Sequence, residues 1–192
     1  RGIVDQPNEF YQALARGVDY ASNVYGGSEF ALAFGGNEMP GYHTGAATHI
    51  GALTGSRHSH LDSAGYSLDQ KSKAPQSPRD MMDQLVKEEG WRQILSSLVV
   101  CFFARGMYEP DLTVKALTAL GYQVDVKELK SLGEEIYAEK QRLKLSEGFD
   151  ARKLRIPRRI LETPTPHGQI QEAHIRAALQ RYEEILGGVT KN

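Results

Sequence analysis

The sequence has 192 residues, with 23 basic against 24 acidic side chains and a net charge of −1. With 40% hydrophobic and 24% charged residues it has a globular composition, and its balanced charge argues against a nucleic-acid surface or a polybasic membrane anchor. One cysteine excludes an internal disulfide and any metal site built from this chain's thiolates alone. The longest apolar stretch, Ile94–Ala104, is broken by Ser96 and Ser97 and falls short of the roughly 20 residues a membrane helix needs. Arg1–Pro7 shows no signal peptide, so a cytoplasmic location is expected. The lack of an initiating Met suggests either a trimmed terminus or a piece of a longer chain.

In chain order, Asn8–Tyr25 reads as a helix, with Phe10, Leu14, Ala21 and Val24 at near-helical spacing and Gly26-Gly27 as a stop. Glu29–Phe34 reads as a short strand or extended segment. A Gly- and His-rich stretch follows from Gly35 to Gly65, in which Ala46–Leu53 has the makings of a helix with a small-residue face. Lys71–Ser77 reads as a linker. Ser77-Pro78-Arg79-Asp80 is a helix start, with a capping hydroxyl, a proline in the first turn and an acid at the positive end of the dipole. That helix is expected to stop at Gly90. A second one, Trp91–Arg105, is apolar on nearly all sides and so predicted to be buried. Pro110–Leu120 is a short helix. Asp125 and Glu128 have capping-box spacing and open a long amphipathic helix to about Arg142, with Val126, Leu129, Leu132, Ile136 and Leu143 on one face. Gly148–Glu162 is basic and irregular, Pro164-Thr165-Pro166 a turn, and Gln171–Leu186 a last helix with Ile175, Ala178, Leu179, Tyr182 and Ile185 inward. The expectation is an all-α fold in two parts. Residues 1–73 form one helical domain with the Gly/His-rich loop, and residues 74–192 form a second.

Several residue patterns bear on chemistry. Cys101 is either a small buried hydrophobe or a lone thiolate ligand whose partners lie elsewhere. His58, His60 and Asp62 form H-x-H-x-D, which reads as a hydrogen-bonded loop, a small-ion site, or a proton donor beside a cofactor. Arg152, Lys153, Arg155, Arg158 and Arg159 read as a solvated face or a clamp for phosphate or an acidic partner surface.

Taken together, these pieces resemble one family. Gly36-Asn37-Glu38-Met39-Pro40-Gly41-Tyr42 is similar to the G-x-E-x-P-x-Y stretch of the tungsten-containing aldehyde ferredoxin oxidoreductases. A small-residue run ending near Arg57–His60 follows, as in that family. Ser96–Cys101 sits where the family has an Asp-x-x-Gly-Leu-Cys element. Leu132–Ile136, Arg142, Glu147-Gly148-Phe149 and Ile156–Arg159 follow in the family's order, so the similarity spans nearly the whole chain.

The resemblance implies the helical C-terminal part of an enzyme with a tungsten- or molybdenum-bis-pterin centre and a 4Fe–4S cluster. Such enzymes oxidise aldehydes to carboxylic acids and pass electrons to ferredoxin or another carrier. It places Cys101 as the fourth cluster ligand, and Ser96, Val100 and Arg57 against the pterin. Ser96 stands where the family has Asp, and Val99 where it has Gly. His58 and His60 compete for the active-site histidine, with His60 favoured, and Glu38 and Tyr42 complete the catalytic set. His43-Thr44-Gly45 replaces the family's Asp-Pro-Arg, which suggests a divergent branch. The pterin-cradling domain and three further cysteines are expected in the rest of a parent chain, so the isolated polypeptide is expected to be inactive; a homodimer is possible. The competing readings are a low-potential aromatic acyl-thioester reductase of the same family, a non-catalytic helical interaction module, and a small metal enzyme using His58, His60 and Asp62.

Overall fold

The computed structural model describes residues 1–63 and 65–189. Its α-helices are α1 (Gly2–Asp5), α2 (Glu9–Ala15), α3 (Val18–Tyr25), α4 (Ala46–Thr54), α5 (Gly65–Lys71), α6 (Pro78–Ser97), α7 (Pro110–Ala119), α8 (Val126–Ser146), α9 (Arg158–Glu162) and α10 (Glu172–Val189). Two 3-10 turns cover Phe102–Met107 and Ala151–Lys153. Among the described residues there is no strand ladder, only isolated bridges between Ala33 and Glu38 and between Thr165 and Gly168. The all-α expectation holds. No helix among the described residues is long and apolar enough to cross a membrane.

The capping sequences perform as read. Ser77 Oγ accepts the Asp80 N–H at 3.1 Å ahead of Pro78. Asp125 and Glu128 close a full capping box at 2.8 Å in each direction. Gly17, at φ +89°, splits the expected Asn8–Tyr25 helix into α2 and α3, because a left-handed residue cannot continue a right-handed helix.

Gly90 does not stop α6. The helix runs through it because α8 crosses there: a Cβ at Gly133 would overlap the Gly90 carbonyl. Gly133 lets the backbones of the two longest helices meet, whereas a Cβ at Gly90 would make only ordinary contact with Glu134 at 3.6 Å; the helix crossing outweighs the ~1 kcal/mol cost of glycine within a helix. It also sets the buried face of α8. Leu129, Gly133, Tyr137 and Gln141 face inward, each four residues from the last, whereas Leu132 and Leu143 are exposed.

The expected buried helix Trp91–Arg105 is not one. α6 ends at Ser97, where the Val99 N–H donates to the Ser96 carbonyl and the Val100 N–H to the Leu95 carbonyl. This is a Schellman termination, and its left-handed residue is Val99, at φ +57°. The apolar residues beyond it point outward: Val99 is 90% exposed and Phe103 85%.

The core lies between α4, α6 and α10. Phe34, Ile50, Leu53, Met82, Leu85, Ile160, Ile175 and Tyr182 are sealed within it. Eight of the nine α4 residues are buried, as befits a helix with small residues on most sides. Its N-terminus is capped from outside. Asp69 of α5 accepts from the Ala47 and Thr48 N–H groups at 3.2 and 2.8 Å and from the Thr48 hydroxyl at 2.8 Å.

Candidate functional site

The His-rich stretch resolves into two separate places. His43 and His49 form a hydrogen-bonded pair on the α4 side, half-buried at His43, with His43 Nδ1 2.8 Å from His49 Nε2 and His43 Nε2 2.7 Å from the Thr163 carbonyl. The carbonyl only accepts, so His43 Nε2 carries its hydrogen; in the neutral ring Nδ1 then accepts from His49 Nε2–H. His49 is fully buried, and its Nδ1 has no hydrogen-bond partner. Burial, then the nearby His43, pushes the His49 pKa down to about 3, so the ring is neutral at pH 7.

The second place is the loop after α4, residues 55–63. Buried groups from α6 and α8 fasten it. Glu89 Oε1 accepts the Ser56 N–H at 2.6 Å. Lys144 donates to the Leu53 and Gly55 carbonyls at 2.5 and 2.8 Å, and Gln141 to the Thr54 carbonyl at 2.9 Å. These groups satisfy the open carbonyls at the C-terminus of α4. Buried Arg92 donates to the Leu61 carbonyl and to Glu88 at 2.9 Å. Burial raises the Glu89 carboxyl to about 7, against the pull of the Ser56 N–H, and lowers Lys144 to about 8. None of Glu89, Arg92, Lys144 or Asp69 stands out in the sequence, because a buried charge on a helix looks like a surface one until the neighbouring helix is known.

Within this loop the sequence-predicted residues occupy distinct positions. Arg57 makes a two-bond ion pair with buried Asp62, at 2.8 and 2.7 Å. His58 Nε2–H donates to the Phe34 carbonyl at 2.9 Å, which ties the loop to the turn whose Ala33–Glu38 bridge carries exposed Glu38. His60 makes no ring hydrogen bond among the described residues and packs 5.0 Å from the Tyr42 ring and 5.9 Å from the Tyr66 ring. Tyr42 stacks on Tyr66 at 5.4 Å. The structure therefore brings His60 and Tyr42 together, while Glu38 is exposed at its bridge to Ala33.

Tyr66 and Arg105 join this cluster without a sequence signal. Arg105 donates to the Tyr66 hydroxyl at 3.2 Å across 39 residues of chain, and to the Phe102 carbonyl at 2.7 Å. The contacts run from His60 through Tyr66 and Arg105 to Phe102, the residue after Cys101. Cys101 is not within a buried helix; it is the exposed residue that opens the 3-10 turn. Its thiol is open rather than sealed. Ser96 lies in the last turn of α6 and Val100 just past the left-handed bend, with its N–H committed to the Leu95 carbonyl.

Two expectations fall here. The ion-site reading of His58, His60 and Asp62 fails on donor geometry, since both Asp62 oxygens accept from Arg57. No group of three His, Cys, Asp or Glu among the described residues is arranged to hold a metal ion. The basic run is not a clamp, because its charges are satisfied internally: Arg152 and Lys153 on Asp150, Arg155 on Asp19 and Glu29, Arg158 on Glu162, and Arg159 over the Phe30 ring.

A family model described as "Aldehyde ferredoxin oxidoreductase, domains 2 & 3" matches residues 2–187. No curated protein matches the chain.

Proposed function

Because the chain belongs to the aldehyde ferredoxin oxidoreductase family, we propose that it forms the helical part of an enzyme oxidising an aldehyde to a carboxylic acid, with electrons leaving to ferredoxin or another carrier. The observation that carries this reading is the open Cys101 thiol at the bend after α6. Exposed Val99 and Phe103 flank it, which suits a ligand presented to an apposed polypeptide. One thiolate cannot hold a 4Fe–4S cluster, so its other ligands come from outside this chain. A tungsten- or molybdenum-bis-pterin centre would supply two-electron chemistry and the cluster a one-electron exit.

This chain's own residues then have separable tasks. Cys101 is one cluster ligand, and Ser96, Val100 and Arg57 face the pterin. His60, with both ring nitrogens free of hydrogen bonds and aromatic rings on its flanks, holds and moves a proton. His58 positions the loop through the Phe34 carbonyl. Tyr42 orients His60, and Glu38 sits at the edge. The division at residues 73/74, a cytoplasmic location, an aldehyde-type substrate and a homodimer belong to the same reading.

The test uses an enzyme containing this polypeptide. Metal analysis should find tungsten or molybdenum together with iron, and Cys101→Ala should lose the iron–sulfur absorbance and aldehyde-dependent dye reduction. Retention of cluster and electron transfer in that variant refutes the ligand role and leaves a helical interaction module.

A further inference from the structure

A cleft of about 690 Å³ opens between α5, α6, the Phe102–Met107 turn, α7 and α8. That volume falls in the range of small-molecule sites. Its apolar lining comes from Leu85, Trp91, Leu95 and Phe103. The Trp91 indole is held in place by donating to the Tyr108 carbonyl at 3.2 Å.

The charges around the cleft are unbalanced. Lys71, Lys87, Lys130 and Arg105 line it. None of the four has a carboxylate partner among the described residues; Arg105 is bound to a carbonyl and a tyrosine hydroxyl instead. Of the lining acids, Glu88 is taken by Arg92, which leaves only Glu109 and Glu134 unpaired. Four cations without a carboxylate partner, against two carboxylates without a cationic one, give the mouth a positive field above an apolar floor.

We propose that this cleft binds a small amphipathic carboxylate, its apolar body against Trp91, Leu95 and Phe103 and its anionic head among Lys71, Lys87, Lys130 and Arg105. An apolar floor supplies affinity, and the cationic rim selects the sign of the head group. Arg105 also reaches Tyr66, so an occupant of the cleft contacts the same guanidinium that braces the His60 cluster. The proposal does not depend on the oxidoreductase reading, since binding is measured on the chain without any cofactor.

Trp91 is the only tryptophan in the chain, so its emission reports on this cleft alone. Octanoate, octylamine and 1-octanol are titrated against the protein, followed by Trp91 fluorescence and by calorimetry. Octanoate should give a saturable response, with octylamine at least about tenfold weaker, and added salt should weaken octanoate binding. The Lys87→Gln/Lys130→Gln double variant, checked for folding by circular dichroism, should raise the octanoate Kd by about tenfold. Equal binding of the three ligands would show an apolar groove without charge selection and overturn the proposal. So would an unchanged Kd in the double variant, or the absence of saturable signal by both methods.

Discussion

The pair His43–His49 and the pair His58–His60 come from one Gly-rich stretch, yet they do opposite things. His43 and His49 spend their hydrogen bonds on each other and on a distant carbonyl, with His49 fully buried beneath half-buried His43. His58 spends one on the Phe34 carbonyl, and His60 spends none. A histidine is available for proton chemistry only where packing leaves a ring nitrogen free in an accessible place. Residue type is the same in the two pairs, and a spacing of six residues in one and two in the other assigns neither role, so only the partners separate an imidazole that holds the fold from one that can react.

The largest way to break this contrast is His49→Ala. It leaves a cavity within α4 and removes the donor to His43, so it should cost about 2–4 kcal/mol in chemical denaturation. The next test is pH. His49 ionises at about 3 in the folded chain, below its unfolded value. The unfolded state therefore binds the extra proton between about pH 3 and 6.5, and stability rises with pH across that window. Glu89 works in reverse. Its folded value of about 7 lies above the unfolded one of 4.5, so its contribution to stability falls as pH rises from about 4.5 to 7. Denaturation midpoints across pH 3–8 should show Glu89→Gln losing that decline and His49→Leu losing the acid sensitivity.

Val99→Gly sharpens the other half of the picture. Val99 is exposed and left-handed at φ +57°, where a β-branched residue is strained, so glycine should stabilise the chain by about 1 kcal/mol in thermal or urea unfolding. A loss of stability would show that the Val99 side chain contributes more than the bend costs. The smallest effect belongs to His60→Ala, which should change stability by less than about 0.5 kcal/mol, while abolishing aldehyde-dependent turnover in a cofactor-loaded enzyme. A large stability loss there would place His60 with His49 as a structural histidine.

Local chemistry decided what the sequence shows plainly. Ser77-Pro78 and the Asp125/Glu128 box start helices because their partners lie within one turn, and the inward Ile175, Ala178, Leu179 and Tyr182 of α10 follow from helical spacing. The motif order around Glu38, Tyr42, Arg57 and Cys101 was enough to suggest the family, since it is carried by short segments. Tertiary structure alone decided the continuation of α6 through Gly90, the one-step rotation of the buried face of α8, and the assembly of His60 with Tyr66 and Arg105. The helix crossing at Gly90 and Gly133 and the Arg105–Tyr66 bond each join segments roughly 40 residues apart, and no local periodicity encodes which backbone will approach another. The apolar run around Cys101 shows the same limit from the other direction. Hydrophobicity marks residues that favour removal from water, but only the ended helix and the left-handed turn at Val99 reveal that this chain leaves them at its surface.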